Sequence, residues 1–111
     1  MYLVTGGGGF IGSHLVRALV RRGERVRVLD NGSSGGRQPL MDVLAEVEWI
    51  DGDVRDDGLV SRSCRGVEGV LHHAAIASVP LSVEAPALTH AINATGTLNI
   101  LSAARDAEVR R

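Results

Sequence analysis

Four consecutive glycines, Gly6–Gly9, between a short apolar run and an amphipathic segment constrain this chain more than anything else in it. Tyr2–Thr5 is too short for a helix and is stopped by the glycines, which predicts a strand. Ile11–Arg22 carries Ile11, Leu15, Ala18 and Leu19 at the spacing of one helix face. Between the two, Gly6, Gly9 and Gly12 spell G-x-x-G-x-x-G. Glycine there permits a sharp turn at positive φ, brings a pyrophosphate up to backbone N–H groups, and lets a helix close onto a sheet. The start of the following helix offers unpaired N–H donors and partial positive charge to an anion. A merely flexible glycine loop is the alternative, and the flanking strand and helix argue against it.

Gly23 suits the position just past the end of that helix. Arg25–Leu29 then predicts a second strand, with Val26 and Val28 on one face, leading into Asp30. Asp30 stands about 20 residues beyond the glycine loop, where a carboxylate can accept hydrogen bonds from an adenosine ribose. It also suits the start of the turn Asp30-Asn31-Gly32, but the strand and the loop before it favour the ribose. A carboxylate in that place repels a 2′-phosphate, so NAD is predicted in preference to NADP.

Asn31–Gly36 reads as a loop, Pro39–Ala45 as a short helix and Val47–Ile50 as a third strand. The acidic turn after it, from Asp51 to Asp56, does not have the ligand spacing of a calcium loop. Asp53 either meets the edge of an adenine or belongs to a solvated turn. Asp57–Cys64 predicts a helix with Leu59 and Val60 inward, and Gly69–His72 a fourth strand. Neighbouring His72 and His73 point to opposite faces of a strand, and no third ligand has zinc-like spacing, so a metal site is not predicted. Small Ala74 and Ala75 at the strand end leave room for a flat ligand. Ser78–Pro86 reads as an irregular loop. Pro86–Arg105 predicts the longest helix, with Pro86 in its first turn and Ala87, Ala91, Ala94, Leu98 and Leu101 on one stripe. Asn93, Thr95 and Gly96 interrupt that helix and either relieve close packing or line a site.

Alternation of strand and helix without a repeat calls for an α/β fold, a parallel sheet with helices on both faces and right-handed crossovers. The expected strand order is 3-2-1-4, a Rossmann-type sheet reaching its switch point. With 44% hydrophobic and 23% charged residues, the 111-residue chain reads as one soluble globular domain. Twelve basic and thirteen acidic side chains leave no basic field for nucleic acid and no polybasic run for a membrane surface. A lone cysteine, Cys64, cannot form an internal disulfide and is expected to be a small buried residue. That usage, with no bilayer-length apolar run and no signal peptide, points to the cytoplasm. Lysine is absent and Tyr2 is the only tyrosine. Lysine-type base chemistry is therefore closed to these residues.

Six stretches in register resemble the extended short-chain dehydrogenase/reductase family, the NAD-dependent epimerase/dehydratases that act on nucleotide sugars. They are Thr5–Leu15; Asp30-Asn31 with Ser33, Ser34 and Gly35; Gly52–Asp56; His72–Ala75; Ser78–Pro86; and Asn93 with Gly96, Thr97 and Asn99. The resemblance implies that Gly6, Gly9, Phe10, Ile11 and Gly12 hold the pyrophosphate of NAD. It places Asp30 and Asn31 on the adenosine ribose, with Ser34 and Gly35 nearby, and Asp53 and Val54 beside the adenine. His73, Ala74 and Ala75 would meet the middle of the cofactor, and Asn93 its nicotinamide half. His73 replaces the commoner apolar or amide residue of its motif.

The family's Ser/Thr and Tyr-x-x-x-Lys follow a fifth strand, which should begin where this chain reaches Val109–Arg111. The chain is therefore expected to be the N-terminal part of such an enzyme, inactive alone. Its complete form would take a nucleotide-sugar substrate, with a homodimer as the assembly considered. A non-catalytic module that binds NAD(H) or another chain is the competing reading, as is another reductase of the same family.

Overall fold

The computed structural model describes residues 1–111 and contains a four-stranded sheet. Strand β1 spans Tyr2–Thr5, β2 Val26–Asp30, β3 Val47–Asp51 and β4 Gly69–His72. All pairs are parallel, in the order β3-β2-β1-β4, as the alternation predicted. Helix α1 covers Phe10–Arg21, α2 Asp57–Cys64, α3 Val79–Glu84, α4 Pro86–His90 and α5 Gly96–Asp106.

The period-2 alternation of the strands divides the core in two. Leu3 and Leu29 face α2 and α5, where they pack with Val60, Cys64 and Ile100. Val4, Val26 and Val28 face the other way, onto Val16 of α1 and Leu40. Burying each such side chain contributes about 1.5–3 kcal/mol, and the two central strands supply Leu3, Val4, Val26, Val28 and Leu29. Arg27 lies at the C-terminal end of α2, where its guanidinium donates to the carbonyls of Ser63 (2.7 Å) and Arg65 (2.9 Å). A cation there complements the helix dipole.

Four local expectations are corrected. Residues 39–45 form no single helix: 3-10 turns occupy Gln38–Leu40 and Leu44–Glu46, separated by Val43 at φ −124°. Residues 78–86 are not irregular. The Ser78 hydroxyl caps α3 by accepting from the Leu81 N–H at 3.2 Å, and Pro80 sits in its first turn. The long helix from Pro86 is interrupted where Asn93, Thr95 and Gly96 indicated, by a π-helical turn over Ala91–Thr95, but its packing face differs from the expected stripe. Its stripe at Ala87, Ala94, Leu98 and Leu101 faces outward, with Leu98 and Leu101 61% and 63% exposed. The inward face is Gly96, Ile100 and Ala103, because only glycine fits against Val54: a Cβ on Gly96 would lie 2.5 Å from Val54 Cγ2. In α1, likewise, Ile11 and Ala18 are exposed, and Gly12, Ser13 and Val16 face the sheet. The small-residue edge of that helix permits the close approach.

Beyond β4, the chain from α5 returns to the sheet edge. The Arg110 N–H donates to Glu68 O (3.2 Å) and the Val70 N–H to Arg111 O (2.9 Å). These bonds stand where a fifth strand was expected to begin.

Candidate functional site

A cleft opens at the carboxyl ends of β1, β2 and β4, where the chain leaves β1 for α1 on one side and β4 lies on the other. This is the switch point of an open parallel sheet, the place where such folds put ligands. Its floor is the glycine turn. Gly6 has φ +67°, and a Cβ there would lie 2.7 Å from the Ala74 nitrogen, so the turn and the β4 loop touch main chain to main chain. A Cβ on Gly12 would come within 2.1 Å of Gly6 O, which is why α1 needs glycine there. Gly9 differs. Its Cβ would meet only Gly6 O at 3.3 Å, and the residue faces the cleft.

Gly9 is the N-cap of α1 and has no side-chain cap, and the first turn holds no acidic residue. The Ser13 N–H closes onto Gly9 O, which leaves the amides of Phe10, Ile11 and Gly12 at the open helix start. Phe10 is 82% exposed and packs its ring edge-on against His14. Gly6 and Gly9 line the cleft, whereas Phe10, Ile11 and Gly12 do not.

Asp30, at the end of β2, is only 6% exposed. Its Oδ2 accepts from the Gly8 N–H (2.8 Å) and its Oδ1 from the Gly32 N–H (2.7 Å). Each oxygen keeps a second lone pair. Asn31, Ser33 and Ser34 continue the wall on this side. Gly35 does not line the cleft. It lies beneath the glycine turn, where a Cβ would be 3.0 Å from Gly8 O.

Asp53 and Val54 form the next part of the wall. Asp53 Oδ1 accepts from the main-chain N–H and Nε of Arg55, and Oδ2 from Arg55 Nη2 and Asn31 Nδ2, at 2.9–3.1 Å. Both oxygens are thereby fully used. Hydrogen bonds from the Arg55 guanidinium hold the Asp53 carboxyl down at about 2, well below the usual range. Val54 is buried and supplies apolar floor, and Asn99 Nδ2 donates to its carbonyl at 3.0 Å.

Along β4, exposed His73 with Ala74 and Ala75 line the cleft. His72 points the other way, toward α5, as alternation requires. Burial pushes its imidazole pKa down, helped by the nearby His73. Asn93 does not reach the cleft. Its Oδ1 accepts from the Ile76 N–H and its Nδ2 donates to Ile76 O, both at 2.8 Å, so the amide is spent on fixing the β4 loop.

Sequence reasoning missed Gly8, Gly52, Ile76 and Ile92. Gly52, Ile76 and Ile92 line the cleft, and Gly8 braces Asp30. Gly8 falls between the glycines of the G-x-x-G-x-x-G spacing, yet a Cβ there would lie 2.2 Å from Gly36 O. The unbroken run of four glycines was the available signal.

Comparison with known proteins gives the site its context. Residues 2–111 match the NAD dependent epimerase/dehydratase family. UDP-glucose 4-epimerase of Lactobacillus helveticus is 41% identical over 110 residues, which take in 97% of this chain and 32% of that protein. The crystal structure of the Thermus thermophilus UDP-glucose 4-epimerase in complex with NAD superposes with a TM-score of 0.89 at 45% identity, over 97% of this chain and 34% of that one. The dTDP-glucose 4,6-dehydratase DesIV of Streptomyces venezuelae, with NAD and TYD bound, gives 0.92 at 39% identity, over 99% of this chain and 37% of that one. The chain thus spans about a third of the length of these relatives. It belongs to the NAD dependent epimerase/dehydratase family.

Proposed function

We propose that these residues are the NAD-binding portion of a nucleotide-sugar epimerase or dehydratase resembling UDP-glucose 4-epimerase. The observation that carries this reading is the convergence of two complementary groups on one cleft. The open amides at the start of α1 suit a pyrophosphate, and the buried Asp30 carboxylate suits a ribose diol. A side chain at Gly9 would stand in the path of that pyrophosphate, and none is there.

In this assignment Gly6, Gly9 and the amides of Phe10, Ile11 and Gly12 cradle the pyrophosphate. Asp30 offers one free lone pair on each oxygen to the ribose hydroxyls, beside Asn31 and Ser34, with Gly35 beneath. Asp53, braced by Arg55, and Val54 flank the adenine. His73, Ala74 and Ala75 run along the middle of the cofactor, and Asn93 serves that wall indirectly through Ile76. Bound NAD supplies hydride acceptance and return at a sugar carbon. The apolar floor of Val54, Ile76 and Ile92 keeps water from the dinucleotide.

Proton transfer is assigned to groups outside these residues. There is no lysine, and Tyr2 lies at the opposite end of β1, where hydrogen bonding to Glu68 raises its pKa. Both ring nitrogens of His72 are engaged with threonine hydroxyls. The nucleotide-sugar substrate and the homodimer are parts of the same proposal, and the outward Leu98–Leu101 stripe favours self-association. The test is turnover of UDP-glucose followed by NMR, with the full-length protein beside residues 1–111 alone. C4 epimerisation or dehydration by the full-length protein only is expected, and turnover by the 111 residues alone would overturn the assignment.

A further inference from the structure

His72 is the one half-buried imidazole in the chain, and counting its hydrogen bonds fixes its protons. Thr97 Oγ1 lies 2.7 Å from Asn93 O, a carbonyl that can only accept, so the Thr97 proton is spent there. Thr97 Oγ1 also lies 3.0 Å from His72 Nε2, which must therefore be the donor. A neutral imidazole has one N–H, so Nδ1 carries a lone pair and accepts from the Thr5 hydroxyl at 2.6 Å. Thr5 Oγ1 then uses both its lone pairs on the N–H groups of His73 (3.1 Å) and Ala74 (3.2 Å). No donor or acceptor in this chain of bonds is left over.

The bonds close on the cleft from two directions. Thr5 immediately precedes Gly6, and it holds the start of the β4 loop. At the other end Asn93, whose carbonyl receives the Thr97 proton, clamps Ile76 with its side chain. His72 links these two clamps, and it joins β1 to the start of α5 across the end of β4. We propose that His72, as the neutral Nε2–H tautomer, is a positioning residue that sets the cleft wall His73–Ile76 against the glycine turn and so sets the affinity for NAD.

Every other protonation state breaks one of these bonds. An Nδ1–H would point at a Thr5 oxygen that already accepts from His73 and Ala74. The His73 N–H also meets the Thr5 carbonyl at 3.1 Å and would stay held, so the bond at risk is the one that fixes Ala74. Imidazolium formation therefore loosens the wall. The groups facing His72 are Thr5 from β1 and Thr97 from α5, both uncharged, with His73 next to it on β4 the one titratable neighbour acting on it. Lowered basicity of His72 agrees with this arrangement.

This inference rests on the NAD-binding reading, and the experiment separates the two. NAD affinity of the full-length protein is measured by calorimetry for the parent, Thr97→Ser and Thr97→Val, and the His72 tautomer is read from ¹⁵N NMR of its ring nitrogens. The parent should show Nε2–H, and Thr97→Ser should match it in tautomer and affinity. Thr97→Val, which is isosteric but cannot accept, should mix the tautomers and weaken NAD about tenfold, the scale of one lost hydrogen bond. Parent affinity should also fall as pH drops through the His72 titration followed by the same spectra. A parent that does not bind NAD would refute the cofactor reading. A parent that binds NAD with Nδ1–H, or Thr97→Val with unchanged affinity, would refute the positioning role. Should Thr97→Val fail to fold, the parent's tautomer and its pH-dependent affinity decide the matter alone.

Discussion

The Gly8 N–H and the Asp30 carboxylate, 22 residues apart in the chain, meet at 2.8 Å between the glycine turn and the end of β2. That bond ties the glycine turn to the end of β2 as one unit. The two sides of the proposed cradle are therefore set relative to each other before any ligand arrives.

Gly9 and Gly12 should separate binding from folding. Gly12→Ala drives a Cβ to 2.1 Å from Gly6 O and forces α1 off the sheet. Its cost is expected at about 3 kcal/mol or more, the upper end for overpacking. Gly9→Ala meets a neighbour only at 3.3 Å and should cost about 1 kcal/mol, a cap-scale effect, while abolishing NAD binding. Urea unfolding and NAD titration of both variants check this; equal loss of stability in the two would contradict the geometry.

His72 and Asp53 act in different parts of the acid side of the stability profile. The exposed and likewise lowered Asp42, Asp51 and Glu68 fall with Asp53 in the carboxylate range. His72 has a folded-state pKa below its unfolded value, so the unfolded chain binds more protons and stability falls as pH drops below about 6.5. Asp53 is held at about 2, so what it contributes is present above about 3.9 and is lost as pH falls through 2. Denaturant midpoints from pH 8 to pH 2 should decline first through the histidine range and again below about pH 4. In Asp53→Asn that first decline should persist unchanged, and its disappearance would assign it to the wrong residue.

The sheet edge predicts how residues 1–111 behave when expressed alone. Arg110 and Arg111 pair with Glu68 and Val70, but the alternation of a parallel ladder leaves the main chain of His72 facing outward with no strand beside it. Together with exposed Leu98 and Leu101, this should give concentration-dependent association in sedimentation velocity. A monodisperse monomer at high concentration would count against it.

The strands and the site were legible in the sequence for different reasons. Asp57–Cys64 and Gly69–His72 appear as read, because hydrophobic period and breakers coincide there. The glycine turn and Asp30 were legible because close backbone contacts need glycine at Gly6 and Gly12, and because a strand-end carboxylate stands within reach of that turn. The inward faces of α1 and α5 were misread because glycine, with no hydrophobic signal, determines both contacts. Leu98 and Leu101 carry the apolar pattern, but Gly96 is what meets Val54. Asn93 was assigned to the cofactor because nothing in one dimension shows that its amide is closed on Ile76. The α3 helix was missed although Ser78 and Pro80 form a recognisable start, since only six residues follow before the next break.

The central claim, that Asp30 and the open end of α1 make a site for NAD, is tested most directly by calorimetric titration of NAD and NADP into the full-length protein and its Asp30→Ala variant. The parent is predicted to bind NAD at least about tenfold more tightly than NADP, as repulsion of a 2′-phosphate by a buried carboxylate requires. Asp30→Ala should lose NAD affinity by a similar factor and with it the discrimination between the two. Equal affinity of the parent for both dinucleotides, unchanged by the substitution, would contradict the claim.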